Sequence, residues 1–188
     1  GKLQRVEATL CYPLPPLFFS DIRYSYALAG GATMDAGCYA VDLARKFGGE
    51  TPTVVAARAR LRGRNIDRAM TAELRFPGGH TGLIHCSVWS SNLLNISAKV
   101  IGDRGELYVL NPVMPPQFFH RLSVRSAGSR RVERFSRRAS YAYQLDAFAA
   151  AVLRGEPVKK TSAQEAIENM TVIDAIYRAA GLPVRQPS

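Results

Sequence analysis

Several features that would place this protein in a special class are missing from its sequence. No apolar run approaches the roughly 18 to 20 residues that a membrane-spanning helix needs. The first residues also lack the apolar stretch of a signal peptide. The three cysteines, Cys11, Cys38 and Cys86, are an odd number without C-x-x-C spacing, so neither a disulfide framework nor a zinc ribbon is indicated. We therefore expect a soluble, cytoplasmic protein.

The composition is that of an ordinary folded domain. The chain has 188 residues, of which 47% are hydrophobic and 21% charged, and this is enough to bury a core. It contains no internal repeat, no low-complexity tract and no long linker, so we expect a single domain over residues 1–188. The net charge of +10 is compatible with an acidic partner, an anionic substrate or an arginine-rich proteome, and charge alone does not choose among these.

The spacing of apolar residues predicts an α+β domain. Residues 3–10 alternate like a strand, a proline-bearing loop follows over 11–28, and a helix is predicted over 31–47, ended by Gly48-Gly49. Period-two alternation then predicts strands at 54–62, 68–76, 81–89, 95–101, 106–110, 119–125 and 131–135. Short glycine-bearing turns between them favour antiparallel hairpins.

Two helices are predicted to close the chain. The first carries an apolar stripe of Tyr141, Leu145, Phe148 and Val152, and the second one of Ala166, Met170, Ile173 and Tyr177. Ser162 and Glu165 form a capping box for the second helix, and Gly181 is its stop. The expected fold is a mainly antiparallel open sheet of about six to seven strands, with helices packed on one face.

The other face of this sheet is predicted to be polar. Arg58, Arg60, Arg62 and Arg64 project to one side of their strand, while Ala57, Ala59 and Leu61 project to the other. The charged side is expected to be solvated or to form a subunit contact, so a homo-oligomer, a dimer or tetramer, through this face is our prediction.

The first predicted helix combines apolar stripes with a narrow polar one. Asp35, Tyr39 and Asp42 follow one another at i, i+4 and i+7, which places a carboxylate and a phenol one turn apart. In a structural interpretation Asp35 caps or pairs locally, Tyr39 bonds a backbone carbonyl and Asp42 pairs with Lys46. In a functional interpretation the preceding Gly30-Gly31 pair lets a ligand approach free backbone N–H groups.

The same segment resembles a known family signature. Residues 28–43 read Leu-Ala-Gly-Gly-Ala-Thr-Met-Asp-Ala-Gly-Cys-Tyr-Ala-Val-Asp-Leu. They are similar to the G-G-x-x-x-D-x-G-x-[HY] motif of the glucose-fructose oxidoreductase, inositol dehydrogenase and rhizopine catabolism family (Gfo/Idh/MocA). Residues 101–107 resemble the G-x-x-G-x-L turn of that family, residues 1–7 its first strand after the cofactor domain, and residues 143–157 its closing helix.

This resemblance implies a role in a two-domain enzyme. It implies a separate Rossmann domain that binds NAD or NADP and supplies a catalytic lysine in a Glu-Lys-Pro segment, and a sheet domain that contacts a sugar or polyol substrate. By position, Asp35 would orient substrate hydroxyls or the lysine, and Tyr39 would be the acid/base. Arg23 would lie on the substrate side as a cationic neighbour, and Gly30 and Gly31 would also contact substrate.

The nucleotide-binding half of that family is missing from these residues. They contain no G-x-G-x-x-G, no P-loop and no Glu-Lys-Pro. We therefore expect this chain alone to bind neither NAD nor NADP and to be inactive, and calorimetric titration tests this. It is either a piece of a longer protein or a remnant that pairs with another one.

Other chemistries are less well supported. His80, His85 and His120 lie on different predicted strands or turns, so no metal site is expected. The arginines near residues 121–138 lack a nucleic-acid recognition motif, and a solvated hairpin is the ordinary explanation. Two function classes remain: the substrate-side domain of an NAD(P)-dependent oxidoreductase acting on a sugar, cyclitol or diol, and a non-catalytic dimerising or ligand-binding module.

Overall fold

Eight strands form one sheet in the computed structural model, which describes residues 1–14, 21–113, 119–134, 138–158 and 162–186. The sheet is somewhat larger than the six to seven strands predicted. The strands are β1 (Leu3–Cys11), β2 (Thr53–Leu61), β3 (Asp67–Arg75), β4 (Thr81–Ser87), β5 (Asn95–Gly102), β6 (Gly105–Leu110), β7 (Arg121–Ser126) and β8 (Ser129–Glu133). Residues 15–20 of the predicted loop and Phe135 at the end of the last predicted strand lie outside the described residues.

The sheet has the order β2-β3-β4-β1-β5-β6-β7-β8 and is mostly antiparallel, as predicted. One pair is different: β1 runs parallel to β4 and antiparallel to β5. From β2 to β8, consecutive strands form hairpins except between β4 and β5, because β1 lies between these two; β1 itself does not pair with β2. The hairpin expectation is therefore wrong at this one connection. The inner face of β1 carries Val6, Ala8 and Leu10, all buried.

The helical part comprises two short 3-10 helices (Ile22–Tyr24 and Tyr26–Leu28), a π-helical turn (Thr33–Gly37), α1 (Cys38–Gly48), α2 (Ser140–Arg154) and α3 (Ala163–Ala179). The helix predicted over 31–47 is thus present, but it opens with a wider turn. α1 and α3 lie on one face of the sheet, where buried residues of both helices join those of the strands in one core. Gly37 packs so close to β4 that a Cβ there would be 3.0 Å from Cys86 Sγ.

The helix ends follow the predicted local signals. Gly49 ends α1 with a φ of 77°, and its N–H donates to the carbonyl of Arg45 at 2.8 Å. Ser162 caps α3 by accepting a hydrogen bond from the N–H of Glu165 at 3.2 Å. The buried guanidinium of Arg45 then joins the two helices through ion pairs with Glu165 and Glu168.

α2 differs from the other two helices because its apolar side is exposed. Leu145 and Phe148 are each 66% exposed, and Tyr141 and Val152 are exposed as well. We refer to Tyr141, Leu145, Phe148 and Val152 as the α2 face. The prediction that the helices pack on one face of the sheet therefore describes α1 and α3, whereas the stripe predicted on α2 is not covered by the residues that the structure describes. Among the described residues no helix is long and apolar enough to cross a bilayer.

The second face of the sheet is open and polar. Arg58 and Arg60 project from it, near Thr71, Glu73 and His85, and these side chains border a groove of about 550 Å³. Arg62 and Arg64, which were predicted to share this face, follow the end of β2 instead. The Arg62 guanidinium lies 4.0 Å from the centre of the Tyr24 ring.

The arginine-rich β7–β8 hairpin is partly neutralised by nearby carboxylates. Arg131 pairs with Glu133 at 2.8 Å, Arg125 with Glu106 at 3.3 Å, and Arg138 pairs at 2.6 Å with Asp146 of α2. These pairs agree with the interpretation of a solvated hairpin.

Candidate active site

The candidate site begins at the tight entry into the π-helical turn. Gly31 has a φ of 132°, and a Cβ at this position would overlap Asp67 Oδ1. A Cβ on Gly30 would approach the carbonyl oxygens of Ile22, Arg23 and Ser25 to 2.6–2.7 Å. Both glycines are buried. The close approach that requires glycine here is therefore made by the protein itself, and substrate contact at Gly30 and Gly31 stays a prediction.

Asp35 lies on the π-helical turn beside Arg23. The Arg23 Nε is 2.9 Å from Asp35 Oδ1. This is an ion-pair contact and not a hydrogen bond, because the Nε–H of Arg23 has no hydrogen-bond partner among the described residues. Asp21 holds the other end of the guanidinium, with Arg23 Nη1 at 3.3 Å from both carboxylate oxygens. Arg23 thus lies between two carboxylates, each partly open to solvent.

Tyr39 lies one turn further along, in the first turn of α1. Its side chain is 50% exposed, and its hydroxyl makes no hydrogen bond within the described part of the chain. The structural interpretation of a phenol bonded to a backbone carbonyl therefore finds no support here. For Asp42, in contrast, the structural interpretation is confirmed, because Lys46 Nζ donates to Asp42 Oδ2 at 2.7 Å.

The electrostatics favour protonated forms at this site. Burial raises the pKa of the Asp35 carboxyl. Burial also raises the pKa of the Tyr39 phenol, with further contributions from Cys38, Asp35 and Tyr141, while Arg23 lowers it. Tyr39 is therefore protonated at neutral pH, and an exposed, protonated phenol can donate a proton to a ligand oxygen.

Three residues that support this turn were not identified from sequence. Asn169 of α3 donates its Nδ2–H to the Cys38 carbonyl at 3.0 Å. Asp67, at the start of β3, accepts hydrogen bonds from Thr33, and Arg185 near the end of the chain pairs with Asp67 at 3.2 Å. A charge at the start of an apolar strand is a usable signal for Asp67, whereas no local pattern marks Arg185.

The described residues do not fit a dinucleotide at this helix start. A pyrophosphate needs free backbone N–H groups at a helix N-terminus. Here the N–H of Thr33 already donates to Asp67 Oδ2 at 2.7 Å, and the buried Asp67 carboxylate would repel a phosphate. Within the described ranges there is also no group of three metal-ligating side chains close enough to hold an ion.

The fold is shared with solved oxidoreductase structures. The crystal structure of aldose-aldose oxidoreductase from Caulobacter crescentus, complexed with glycerol, matches with a TM-score of 0.84 at 22% sequence identity. The match covers 96% of this chain and 54% of that one. A 3-ketoreductase from Actinomadura kijaniata, in complex with NADP and TDP-benzene, matches with a TM-score of 0.82 at 22% identity, over 95% of this chain and 54% of that chain.

Sequence comparison identifies the family. D-xylose 1-dehydrogenase (NADP(+)) 2 of Haloferax volcanii is 33% identical over 182 residues, which are 96% of this chain and 54% of that protein. The profile of the GFO/IDH/MocA C-terminal domain matches residues 1–108. This chain therefore belongs to the GFO/IDH/MocA family. It spans about half the length of the curated relatives that it matches.

Proposed function

We propose that this chain is the substrate-side domain of a cytoplasmic NAD(P)-dependent oxidoreductase that acts on a sugar, cyclitol or diol. The observation that carries the proposal is the unbonded, half-exposed phenol of Tyr39 beside the Arg23–Asp35 pair. The names of the relatives support the substrate class, since they include a xylose dehydrogenase and a deoxysugar 3-reductase. The glycerol in the Caulobacter crescentus structure is itself a polyol.

The chemistry proposed for this chain is binding and proton transfer. The Asp35 carboxylate accepts hydrogen bonds from substrate hydroxyls, and the Arg23 guanidinium beside it donates to a substrate oxygen. The Tyr39 hydroxyl donates a proton to the carbonyl oxygen in reduction and takes it back in oxidation. Hydride exchange is what a nicotinamide supplies, and we assign no such step to these residues because they do not fit one.

The exposed α2 face supports the presence of a second domain. The Tyr141 phenol of this face is near enough to Tyr39 to raise the pKa of Tyr39 by charge repulsion. Exposed contiguous apolar side chains of this kind are typical of contact surfaces. Because the relatives are about twice as long as this chain, we propose that a cofactor-binding domain covers the α2 face and closes the site around Tyr39.

The test replaces Tyr39 by phenylalanine in the protein that carries both domains. Tyr39→Phe keeps the ring and removes only the proton donor, so kcat should fall about 100- to 10,000-fold with a much smaller change in KM. Tyr143→Phe is a matched control, because Tyr143 of α2 is equally exposed at 51%. The control should keep the parent kcat.

Asp35→Asn is the second variant of this test. It keeps the shape of the side chain and removes the charge beside Arg23, so activity should fall through misoriented substrate while the unfolding midpoint moves little. If Tyr39→Phe and Asp35→Asn both fold and turn over substrate within about threefold of the parent, the loss is too small for acid/base catalysis. The polar stripe would then be structural.

We also propose that two copies associate through the open sheet face. Arg58 and Arg60 lie there beside Glu73, so the face carries both charges and can pair with a copy of itself. Glu73→Arg should therefore weaken the dimer in sedimentation experiments, and a monomeric parent at high concentration and physiological salt would contradict the proposal. A dimer that shows no oxidoreductase activity in the protein that carries both domains would favour the alternative function, a non-catalytic dimerising module.

A further inference from the structure

A fully buried ion pair lies behind the candidate site and is not used by the proposed chemistry. Asp67 is 0% exposed and the Arg185 side chain 3% exposed, and Arg185 Nη2 is 3.2 Å from Asp67 Oδ1. Taking two charges out of water is costly, and packed apolar residues often replace such a pair without loss of stability. Stability alone therefore does not account for this buried ion pair, and its contacts indicate a second role.

Asp67 holds the start of the π-helical turn. Its Oδ2 accepts hydrogen bonds from the Thr33 N–H at 2.7 Å and from the Thr33 hydroxyl at 2.6 Å. Its Oδ1 accepts from the Tyr177 hydroxyl at 3.2 Å, in addition to Arg185. A carboxylate from a neighbouring strand thus acts as the cap of this helix start. The turn that it caps carries Asp35 two residues later.

Arg185 holds the chain segment just before that turn. Its Nε–H donates to the Gly30 carbonyl at 3.0 Å, and its Nη2 donates to the Asn65 carbonyl at 3.0 Å. The guanidinium also lies 4.2 Å from the centre of the Tyr177 ring. The planar fork of arginine is needed for this arrangement, since one side chain contacts Gly30, Asn65 and Asp67 at fixed angles.

We propose that Asp67 and Arg185 are positioning residues of the active site. Together they fix the backbone on both sides of Gly31, and through the π-helical turn they set the location of Asp35 and Tyr39. The inference rests on the proposed function for its catalytic consequence. Its geometric part is independent of that function, because it concerns only how the turn at residues 30–39 is held.

The test uses the protein that carries both domains and compares Arg185→Gln with Arg178→Gln. The control removes an exposed ion pair of α3, between Arg178 and Asp174. Hydrogen exchange followed by mass spectrometry reads peptides covering residues 30–39, with the β5–β6 hairpin as an internal reference. Kinetics are measured well below the melting temperature of each variant and are corrected for the folded fraction.

The proposal makes a two-part prediction for Arg185→Gln. Exchange over residues 30–39 should become about tenfold faster or more, the effect of losing one charged hydrogen bond, while the reference hairpin is unchanged. The kcat should fall on the order of 10- to 100-fold, because small misplacements of reacting groups are costly, with the KM for the cofactor unaffected. Arg185→Lys, which keeps the charge but not the fork, should rescue only part of the loss.

Two results would overturn the proposal. Unchanged protection of residues 30–39 in a folded Arg185→Gln variant refutes the geometric part, and lost protection with the parent kcat refutes the positioning role. If Arg185→Gln does not fold, the double variant Asp67→Asn/Arg185→Gln carries the same test, since it leaves no unpaired buried charge. Failure of the proposed function is recognised separately, by full activity of Tyr39→Phe.

Discussion

The exposed α2 face allows a prediction whose size follows from burial. Leu145 and Phe148 are each 66% exposed, so about a third of each side chain is covered. Full burial of such a side chain is worth about 1.5–3 kcal/mol, so Leu145→Ala or Phe148→Ala should cost this chain no more than about 0.5–1 kcal/mol. Alanine is the best helix former, and no helix-propensity loss adds to this.

The matched control is Ile176→Ala in α3. Ile176 is 0% exposed, so truncation leaves a cavity and should cost about 2–5 kcal/mol. Urea denaturation followed by circular dichroism measures all three variants, first in this chain and then in the protein with its cofactor domain. If the α2 face contacts that domain, Leu145→Ala and Phe148→Ala should approach the cost of the control in the longer protein.

Two results would contradict these expectations, each for a different reason. A loss of more than about 2 kcal/mol of unfolding free energy for Phe148→Ala in this chain would show that α2 is packed here, contrary to the 66% exposure of Phe148. A small cost in both proteins would show that the cofactor domain does not cover the α2 face. The first result concerns this structure, and the second concerns the proposed second domain.

Three further predictions concern single residues. Gly48→Ala should destabilise the chain by about 1–3 kcal/mol in urea denaturation, because the added Cβ overlaps the Phe76 ring, and a neutral result would mean that this contact is loose. Burial raises the pKa of the Cys38 thiol to about 11, so its alkylation by iodoacetamide should be slow at pH 8 and rise towards pH 11; fast reaction at pH 8 would contradict this. Hydrogen bonds, the largest from Gln164, lower the pKa of the Glu168 carboxyl from its ordinary value of 4.5. The stabilisation that the charged Glu168 provides is therefore complete above pH 4.5 and is lost as the pH falls through the lowered pKa. Glu168→Gln should flatten this part of the acid unfolding profile.

Features with local causes could be predicted from the sequence. Gly49 ends α1 and Ser162 starts α3 because each acts on backbone groups within four residues. The alternation in the strands likewise depends on neighbours along the chain. The position of β1 between β4 and β5 could not be predicted in this way, because the pairing of Arg5 with Thr81 depends on distant residues and not on local pattern.

In the candidate site, too, local features could be predicted from the sequence and long-range contacts could not. The i, i+4 spacing is sufficient to place Asp35 and Tyr39 on one stripe, and the wider family resemblance indicates Arg23 by its position in the preceding loop. The hydrogen bonds that hold this stripe were not predictable, since Asp67 and Arg185 are 118 residues apart and meet only in the folded chain. For the α2 face, the apolar stripe predicts that these side chains are buried, but the sequence does not indicate which partner buries them.

The central position of β1 has a consequence for how this chain folds. β2, β3 and β4 form one ladder and β5 to β8 another, and within the described sheet β1 joins these two ladders. β1 is synthesised before both of its neighbours. At a synthesis rate of about 5–20 residues per second, several seconds pass before β4, with which it pairs, has been made. During that time both of its edges are open, which exposes it to aggregation and makes it a natural binding site for a chaperone on the nascent chain.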